Sequence, residues 1–468
     1  MQVFNYSGPQ FSPYDDDRQT GDHEPGPWAA PSATAPLSAT LSLPGSKSLT
    51  NRELVLSALA DGPSTLRAPL RSRDSSLMIE ALRSLGTRID EIGSGEYGPD
   101  LLVTPGELSG GTSIDCGLAG TVMRFLPPVA ALALGPVAFD GDEGARRRPM
   151  RTTIDSLRSL GIDVSDDGLG RLPFSLYATG RVAGGSIEID ASASSQFVSG
   201  LLLAAPRFEN GLRLTHIGER LPSMPHIDMT IADLRARGVD VSSPESGVWV
   251  VAPGAIAGRT VAIEPDLSNA APFLISAIVA GGTVTISGWP AHTTQVGADL
   301  ERLLPLWGAA VTRVGGSLVV DGGAGVAGGV KLPGVDLDLS TGGELAPALV
   351  ALAALATGPS RITGIGHLRG HETDRLAALA ANITLIGGHV SELDDGLLVE
   401  PGALLGGGWK AWDDHRMAHA GAIIGLAVPG IQIDDIASTA KTMPEFPELW
   451  LRTVGAAPAA SVDPLSIF

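Results

Sequence analysis

Six stretches of this chain share one pattern, a polar start followed by an Ala- and Leu-rich run almost free of charge. They are "SLTNRELVLSALA" from Ser48, "GTVMRFLPPVAALAL" from Gly120, "SQFVSGLLLAAP" from Ser195, "SNAAPFLISAIVAGG" from Ser268, "GELAPALVALAALATG" from Gly343 and "HRMAHAGAIIGLAV" from His415. Successive starts lie 72 to 75 residues apart. A helix that is apolar nearly all round has to be covered on every side, so a chain with six of them must wrap other structure around each. The period is well above the ~20–50 residues of solenoid repeats and points to compact units gathered in globular halves.

A second pattern alternates with the first. "IEALRSLGTRI", "IDSLRSLGIDV", "IADLRARGVDV", "LERLLPLWGAAV", "LAALAANITLIGGHV" and "PELWLRTVG" each read as a helix closed by glycine, the usual left-handed stop. Between the helices lie short β-rich stretches such as "SIEID", "VWVVAP", "TVTISG", "SLVVDG" and "LLVEPG". The unit is therefore βαβαββ, repeated six times. The fold class is α/β, with apolar helices inside, sheets outside and three units in each of two domains. A length of 468 residues is too great for one ordinary core and agrees with two domains.

If the six apolar helices run parallel, their N-termini share a direction and present unpaired N–H groups, a ready surface for anions. The polar residues gather at these starts. The first carries Lys47, Ser48 and Arg52, and Thr50 with Glu53 fits a capping box. The second carries Gly120, Thr121 and Arg124, the third Ser194, Ser195 and Gln196, the fifth Glu344, and the sixth Asp414, His415 and Arg416. Loops add Ser223, Arg148, His371, Glu372, Arg375 and Lys441. A single arginine is usually a solvated surface charge; recurrence at equivalent repeat positions is what argues for a site. The net charge of −19 excludes a broad basic footprint for nucleic acid or an anionic membrane, so an anion site here is a local cation cluster in an acidic protein.

Other motifs compete with this one. "GSKS" lacks the G-x-x-x-x-G-K-[ST] of a phosphate loop. "HRMAH" and "HLRGH" have zinc-ligand spacing, but neither has the adjacent glutamate of H-E-x-x-H, and arginines sit among the histidines. Cys116, the only cysteine, reads as a small core residue rather than a nucleophile and suits a reducing cytoplasm. Residues 1–37, which include a Pro-, Gly- and Asp-rich start without a basic and apolar leader, read as a flexible tail. The longest apolar run, "LAPALVALAALA", is short of the ~20 residues of a membrane span.

In order, "LPGSKSLTNR", "AGTVMRFL", "RRPM", "SSQF", "HETDRL", "DDHRMA" and "KTMPEFP" resemble the EPSP synthase family from about residue 38 to 452. The resemblance implies two inside-out α/β barrel domains, residues 44–262 and residues 38–43 with 263–468, and a monomer without cofactor or metal. It implies transfer of the enolpyruvyl group of phosphoenolpyruvate to shikimate 3-phosphate. By motif, Lys47, Gly120, Arg148, Gln196, Arg375, Arg416 and Lys441 would hold phosphoenolpyruvate. Lys47, Ser48, Arg52, Ser194, Ser195, Gln196, Ser223, Glu344 and His371 would hold shikimate 3-phosphate. Glu344, Glu372 and Lys47 are the candidates for proton transfer. Many family members have Asp at the place of Glu344, Lys at that of His371 and Asn at that of His367. Since the ligand residues come from both halves of the chain, the two domains are expected to close around substrate. Alternatives are a UDP-amino-sugar enolpyruvyl transferase of the same fold, a metal-dependent hydrolase on the paired histidines, and a non-catalytic anion binder.

Overall fold

The computed structural model describes residues 26–456. All six apolar stretches are helices: Lys47–Ala58, Gly120–Ala130, Gln196–Ala204, Ala270–Ala280, Ala346–Ala354 and His415–Gly425. Every residue of Gly120–Ala130, Ala270–Ala280 and Ala346–Ala354 is buried, in keeping with their lack of a polar face. A shared turn launches most of them. Asp115, Asp190, Asp266, Asp338 and Asp414 each accept a hydrogen bond from the backbone N–H two residues on, shaping the loop just ahead of the helix. The first helix uses Ser46 instead, whose side chain accepts from Leu49 N. The capping box expected of Thr50 and Glu53 is not formed, because both side chains have buried tertiary partners. Thr50 Oγ1 accepts from Leu70 N at 3.0 Å, and Glu53 is paired with the Arg237 guanidinium.

The second, third, fifth and sixth apolar helices each connect two parallel strands of one sheet, with the third as the clearest case, whereas the first and fourth link strands of different sheets. Gly185–Ile189 and Leu212–His216 flank Gln196–Ala204, and Val248–Val251 and Val241–Glu245 extend that sheet antiparallel. Five such four-stranded sheets occur among the described residues, with a sixth of three strands. In the first five units the glycine-closed helix lies between the second and third strands, and in the sixth Phe446–Val454 follows the second strand. Gly86, Gly161, Gly238, Gly308, Gly387 and Gly455 all have positive φ, as their stop position demands. In the fourth unit the expected helix is broken into 3-10 turns and one short α-helical turn over Val296–Trp307, since Pro305 supplies no N–H.

Two large hydrophobic clusters form, one from Leu54 to Ile256 and one from Leu267 onward with Ala30, Leu37, Leu41 and Leu43. The chain passes between them twice. Leu37–Leu41 pairs parallel with Gly282–Ser287 of the fourth unit, and Thr260–Ala262 pairs parallel with Ser64–Arg67 of the first. The two crossings are tied by Ser46 N to Glu264 O at 2.8 Å and Asp266 N to Pro44 O at 2.9 Å.

The reading of residues 1–37 as a flexible tail is corrected for the part described. Trp28–Ala29 form an antiparallel strand against Gln432–Ile433, and Ala30 is buried. Among the described residues, the sixth unit has two strands of its own, Gly408–Trp409 and Gln432–Ile433, and its third strand is Trp28–Ala29. Backbone pairing, not side-chain pattern, docks this segment. Residues 1–25 lie outside the described residues.

Candidate active site

The N-termini of apolar helices from both halves meet at one cavity. Its walls include Lys47, Ser48, Gly120, Arg148, Ser194, Ser195, Gln196 and Ser223 from one side and Glu344, His371, Glu372, Arg375 and Arg416 from the other. Lys47 Nζ lies 3.3 Å from buried Asp74. Arg148, buried, donates from Nη1 to Leu118 O at 3.0 Å and has no carboxylate partner among the described residues. Ser223 sits in a left-handed backbone conformation, and its N–H reaches Ser340 O across the two halves at 3.2 Å.

Gly120 marks where space is most contested. A Cβ there would stand 2.9 Å from Arg124 Nη1, 2.9 Å from Arg148 Nη2 and 3.0 Å from Gln196 Oε1. Arg124 is itself buried, leans on the Phe197 ring at 5.3 Å and leaves its Nε without a partner. Burial first, and the neighbouring Arg148 charge next, push its pKa well below the usual arginine value. Two buried guanidinium groups without a carboxylate of their own make a strongly anion-seeking wall.

Two carboxylates face this wall in different settings. Glu372 accepts from Lys441 Nζ at 2.7 Å and Arg375 Nη2 at 3.0 Å. Burial pushes its pKa upward, but Lys441, Arg375, His371 and Arg148 outweigh burial and hold the carboxyl well below the ordinary range. Glu344 lies 3.1 Å from His226 Nε2 and accepts from Ser268 Oγ, with Arg416 Nη2 at 3.9 Å. Burial again opposes ionisation there, and His226, Arg416 and Ser268 override it, so this group also stays ionised. Arg375 is oriented by Asp414, whose Oδ2 accepts from its Nε at 2.7 Å. Burial holds the imidazoles of His367 and His371 neutral, at pKa values near about 4 and about 3.

Two expected ligand residues stand off the wall. Lys441 is one layer back, behind Glu372, and donates across to Leu118 O at 3.3 Å. Arg52 is turned away from the cavity. Its guanidinium donates to Thr230 Oγ1, Ser48 O, Ser199 Oγ and His226 O, and burial lowers its pKa to about 10. It shapes the wall through Ser48 and His226 instead of lining it. Sequence reasoning missed His226, Ser268, Asp266 and Gln295. His226 stands in the same "LPSMPH" motif as Ser223, and that adjacency was the available signal.

The His415 and His419 rings meet edge to face at 5.8 Å, and His419 packs on Phe446 at 4.2 Å. Among the described residues, no group of three or more His, Cys, Asp or Glu is arranged to hold a metal ion. Cys116 is fully buried, and burial with Asp115 and Asp140 raises its thiol pKa, which rules it out as a ready thiolate. Among the described residues no helix is long and apolar enough to cross a membrane.

The model of the family EPSP synthase (3-phosphoshikimate 1-carboxyvinyltransferase) matches residues 31–450. This chain belongs to the EPSP synthase family. It is 54% identical over 435 residues to a 3-phosphoshikimate 1-carboxyvinyltransferase of Kocuria rhizophila, covering 92% of this chain and 96% of that one. Among solved structures it resembles an EPSP synthase from Acinetobacter baumannii, with a TM-score of 0.73, 24% identity and coverage of 91% and 97%. It also resembles the enolpyruvyl transferase NikO from Streptomyces tendae, with a TM-score of 0.70, 18% identity and the same coverages. At these identities the structural likenesses establish the mixed α/β fold alone. Glu344, His367 and His371 all line this one cavity.

Proposed function

We propose that the protein joins the 5-hydroxyl of shikimate 3-phosphate to the enolpyruvyl group of phosphoenolpyruvate, giving 5-enolpyruvylshikimate 3-phosphate and phosphate for aromatic amino-acid and chorismate synthesis. The observation that carries this reading is the single cavity walled by Lys47, Arg148, Arg375 and Arg416 in a protein of net charge −19. Two phosphorylated carboxylates brought side by side repel each other, by about 1 kcal/mol per like pair at 4 Å in water and several times more in a partly dry site. Arginine forks that stay charged and bind bidentately offset this.

In this reading phosphoenolpyruvate lies against Lys47, Gly120, Arg148, Gln196, Arg375 and Arg416, with Lys441 behind. Shikimate 3-phosphate lies along Lys47, Ser48, Ser194, Ser195, Gln196, Ser223, Glu344 and His371, with Arg52 as support. The reaction is an addition followed by an elimination. The 5-oxygen bonds to C2 of phosphoenolpyruvate while C3 gains a proton. C3 then loses a proton, and the C2–phosphate bond breaks. Glu344, ionised beside His226 and Ser268, takes the hydroxyl proton in this reading. Glu372 starts as a carboxylate. When phosphoenolpyruvate draws the charge of Arg148, Arg375 and Lys441 to itself, the pKa of Glu372 rises, and it can then carry the proton to and from C3. Lys47 remains the competing group beside the leaving phosphate.

We further infer two lobes, 44–262 and 38–43 with the chain from 263, each an inside-out α/β barrel that closes on substrate. The two hydrophobic clusters and the paired crossings support that division. We also infer a monomer, and the lone thiol suits the cytoplasm. The direct test mixes purified protein with both substrates and measures inorganic phosphate. No release with shikimate 3-phosphate, but release with a UDP-amino sugar, would move the protein to the sister reaction; loss of activity on chelation would favour a metal hydrolase.

A further inference from the structure

The segment just ahead of the first crossing touches two elements that end in cations of the site. Its strand Trp28–Ala29 pairs with Gln432–Ile433, which leads directly into the Ile436–Lys441 turn. Ala30 N donates to Ile431 O at 3.0 Å, beside that strand. The segment then crosses the far end of the sixth apolar helix, where the last carbonyls of any helix lack partners. Here they are supplied: Ser32 Oγ donates to Gly425 O at 3.1 Å, and Ala33 N donates to Leu426 O at 2.9 Å. The approach is close, since a Cβ on Gly425 would stand 2.5 Å from that of Ala30. The other end of the same helix carries Arg416, and the turn carries Lys441.

We propose that residues 28–33 are a strap that sets the positions of Arg416 and Lys441, with Ser32 a positioning residue for the phosphoenolpyruvate side of the site. The name of the anion rests on the function proposed above. The helix is a stiff rod of about 16 Å, so a shift at Gly425 is delivered to Arg416. The Ile436–Lys441 turn packs along that helix, so both cations move with it. The need for a strap follows from the sixth sheet, which among the described residues has three strands where its five counterparts have four, its one antiparallel strand being Trp28–Ala29 itself. Most groups expected to hold shikimate 3-phosphate sit on the other lobe, whose sheets the strap does not join, so its effect is one-sided.

The test uses full-length Ser32→Ala and the double variant Ser32→Ala/Ala33→Pro, which removes both donors. In the single variant the KM for phosphoenolpyruvate rises roughly two- to fivefold, the worth of one hydrogen bond, and Ser32→Thr restores it. In the double variant it rises about tenfold or more, as misplaced binding groups cost. The KM for shikimate 3-phosphate stays within about twofold of the parent, as one-sided positioning requires. Amide hydrogen exchange across 415–425 becomes faster in the double variant. An unchanged KM for phosphoenolpyruvate despite faster exchange overturns the proposal, as do two KM values that rise together with a lower melting temperature. Absence of phosphate release by the unaltered protein would overturn the proposed function, a result separable from either of these.

Discussion

Replacing Glu372 by glutamine removes one negative charge and leaves the shape of the side chain. The parent carboxylate holds Lys441 at 2.7 Å and Arg375 at 3.0 Å, all three being at most 7% exposed. Arg375 keeps Asp414, so the loss falls mainly on Lys441, which is left as a buried cation facing Arg148. Stripping one partner from a buried pair costs about 3–5 kcal/mol. Asp414 and residual hydrogen bonding by the amide reduce this to about 2–4 kcal/mol, or a fall in Tm of about 4–16 °C for domains of this size. The variant cavity has one more net positive charge, so inorganic phosphate should stabilise Glu372→Gln more than the parent. Catalysis should fall about 10²–10⁴-fold, the usual worth of a placed acid–base group. Thermal melts with and without phosphate, together with single-turnover phosphate release, test both halves. Retained turnover would remove Glu372 from proton transfer, and equal phosphate stabilisation would show that the carboxylate does not compete with bound anions.

Gly120→Ala pushes against the mobile ends of Arg124, Arg148 and Gln196, so the fold should persist while steady-state kinetics show a KM for phosphoenolpyruvate raised about tenfold, as small misplacements of binding groups do. Inhibition by a phosphonate analogue of phosphoenolpyruvate should weaken in the same variant, and an unchanged inhibition curve would count against the crowding. The buried His419, its pKa lowered to about 3, and His415, also lowered, take up protons only on unfolding. The unfolded chain therefore binds more protons below about pH 6.5, and each imidazole removes up to about 1.4 kcal/mol of stability per pH unit as the pH falls from there. Urea midpoints should drop between pH 7 and 5, and a flat profile would contradict the burial argument. Arg237→Ala strands the Glu53 carboxylate and should destabilise by about 3–5 kcal/mol in denaturant titrations, with both KM values unchanged.

Much of this site was legible because the chain repeats itself. Polar residues confined to the starts of otherwise apolar helices could be gathered into one place before any contact was known, and Lys47, Gly120, Gln196, Glu344 and Arg416 do meet there. What stayed hidden depends on partners distant in sequence. Arg52 looks like its neighbours in the motif, yet Thr230 and His226, both on the helix Met224–Ala236, turn it away from the cavity. Thr50 and Glu53 fit a local cap, and tertiary partners outbid it. The strand Trp28–Ala29 is two residues long and has no alternation to read; only the unfilled edge of a sheet some 400 residues later gives it a place. Pro305 stands inside "LERLLPLWGAAV" and breaks the helix that the apolar spacing there predicts.

The route of the chain also orders events during synthesis. Everything from Leu54 to Ile256 can complete its core once Thr260–Ala262 has emerged and joined Ser64–Arg67. The opening segment has no such early partner: Leu37–Leu41 waits for Gly282–Ser287, and Trp28–Ala29 waits until Gln432–Ile433 leaves the ribosome. Residues 28–41 are thus made early and fastened late, and a nascent chain halted before Ile433 carries one finished half and one half without its seal.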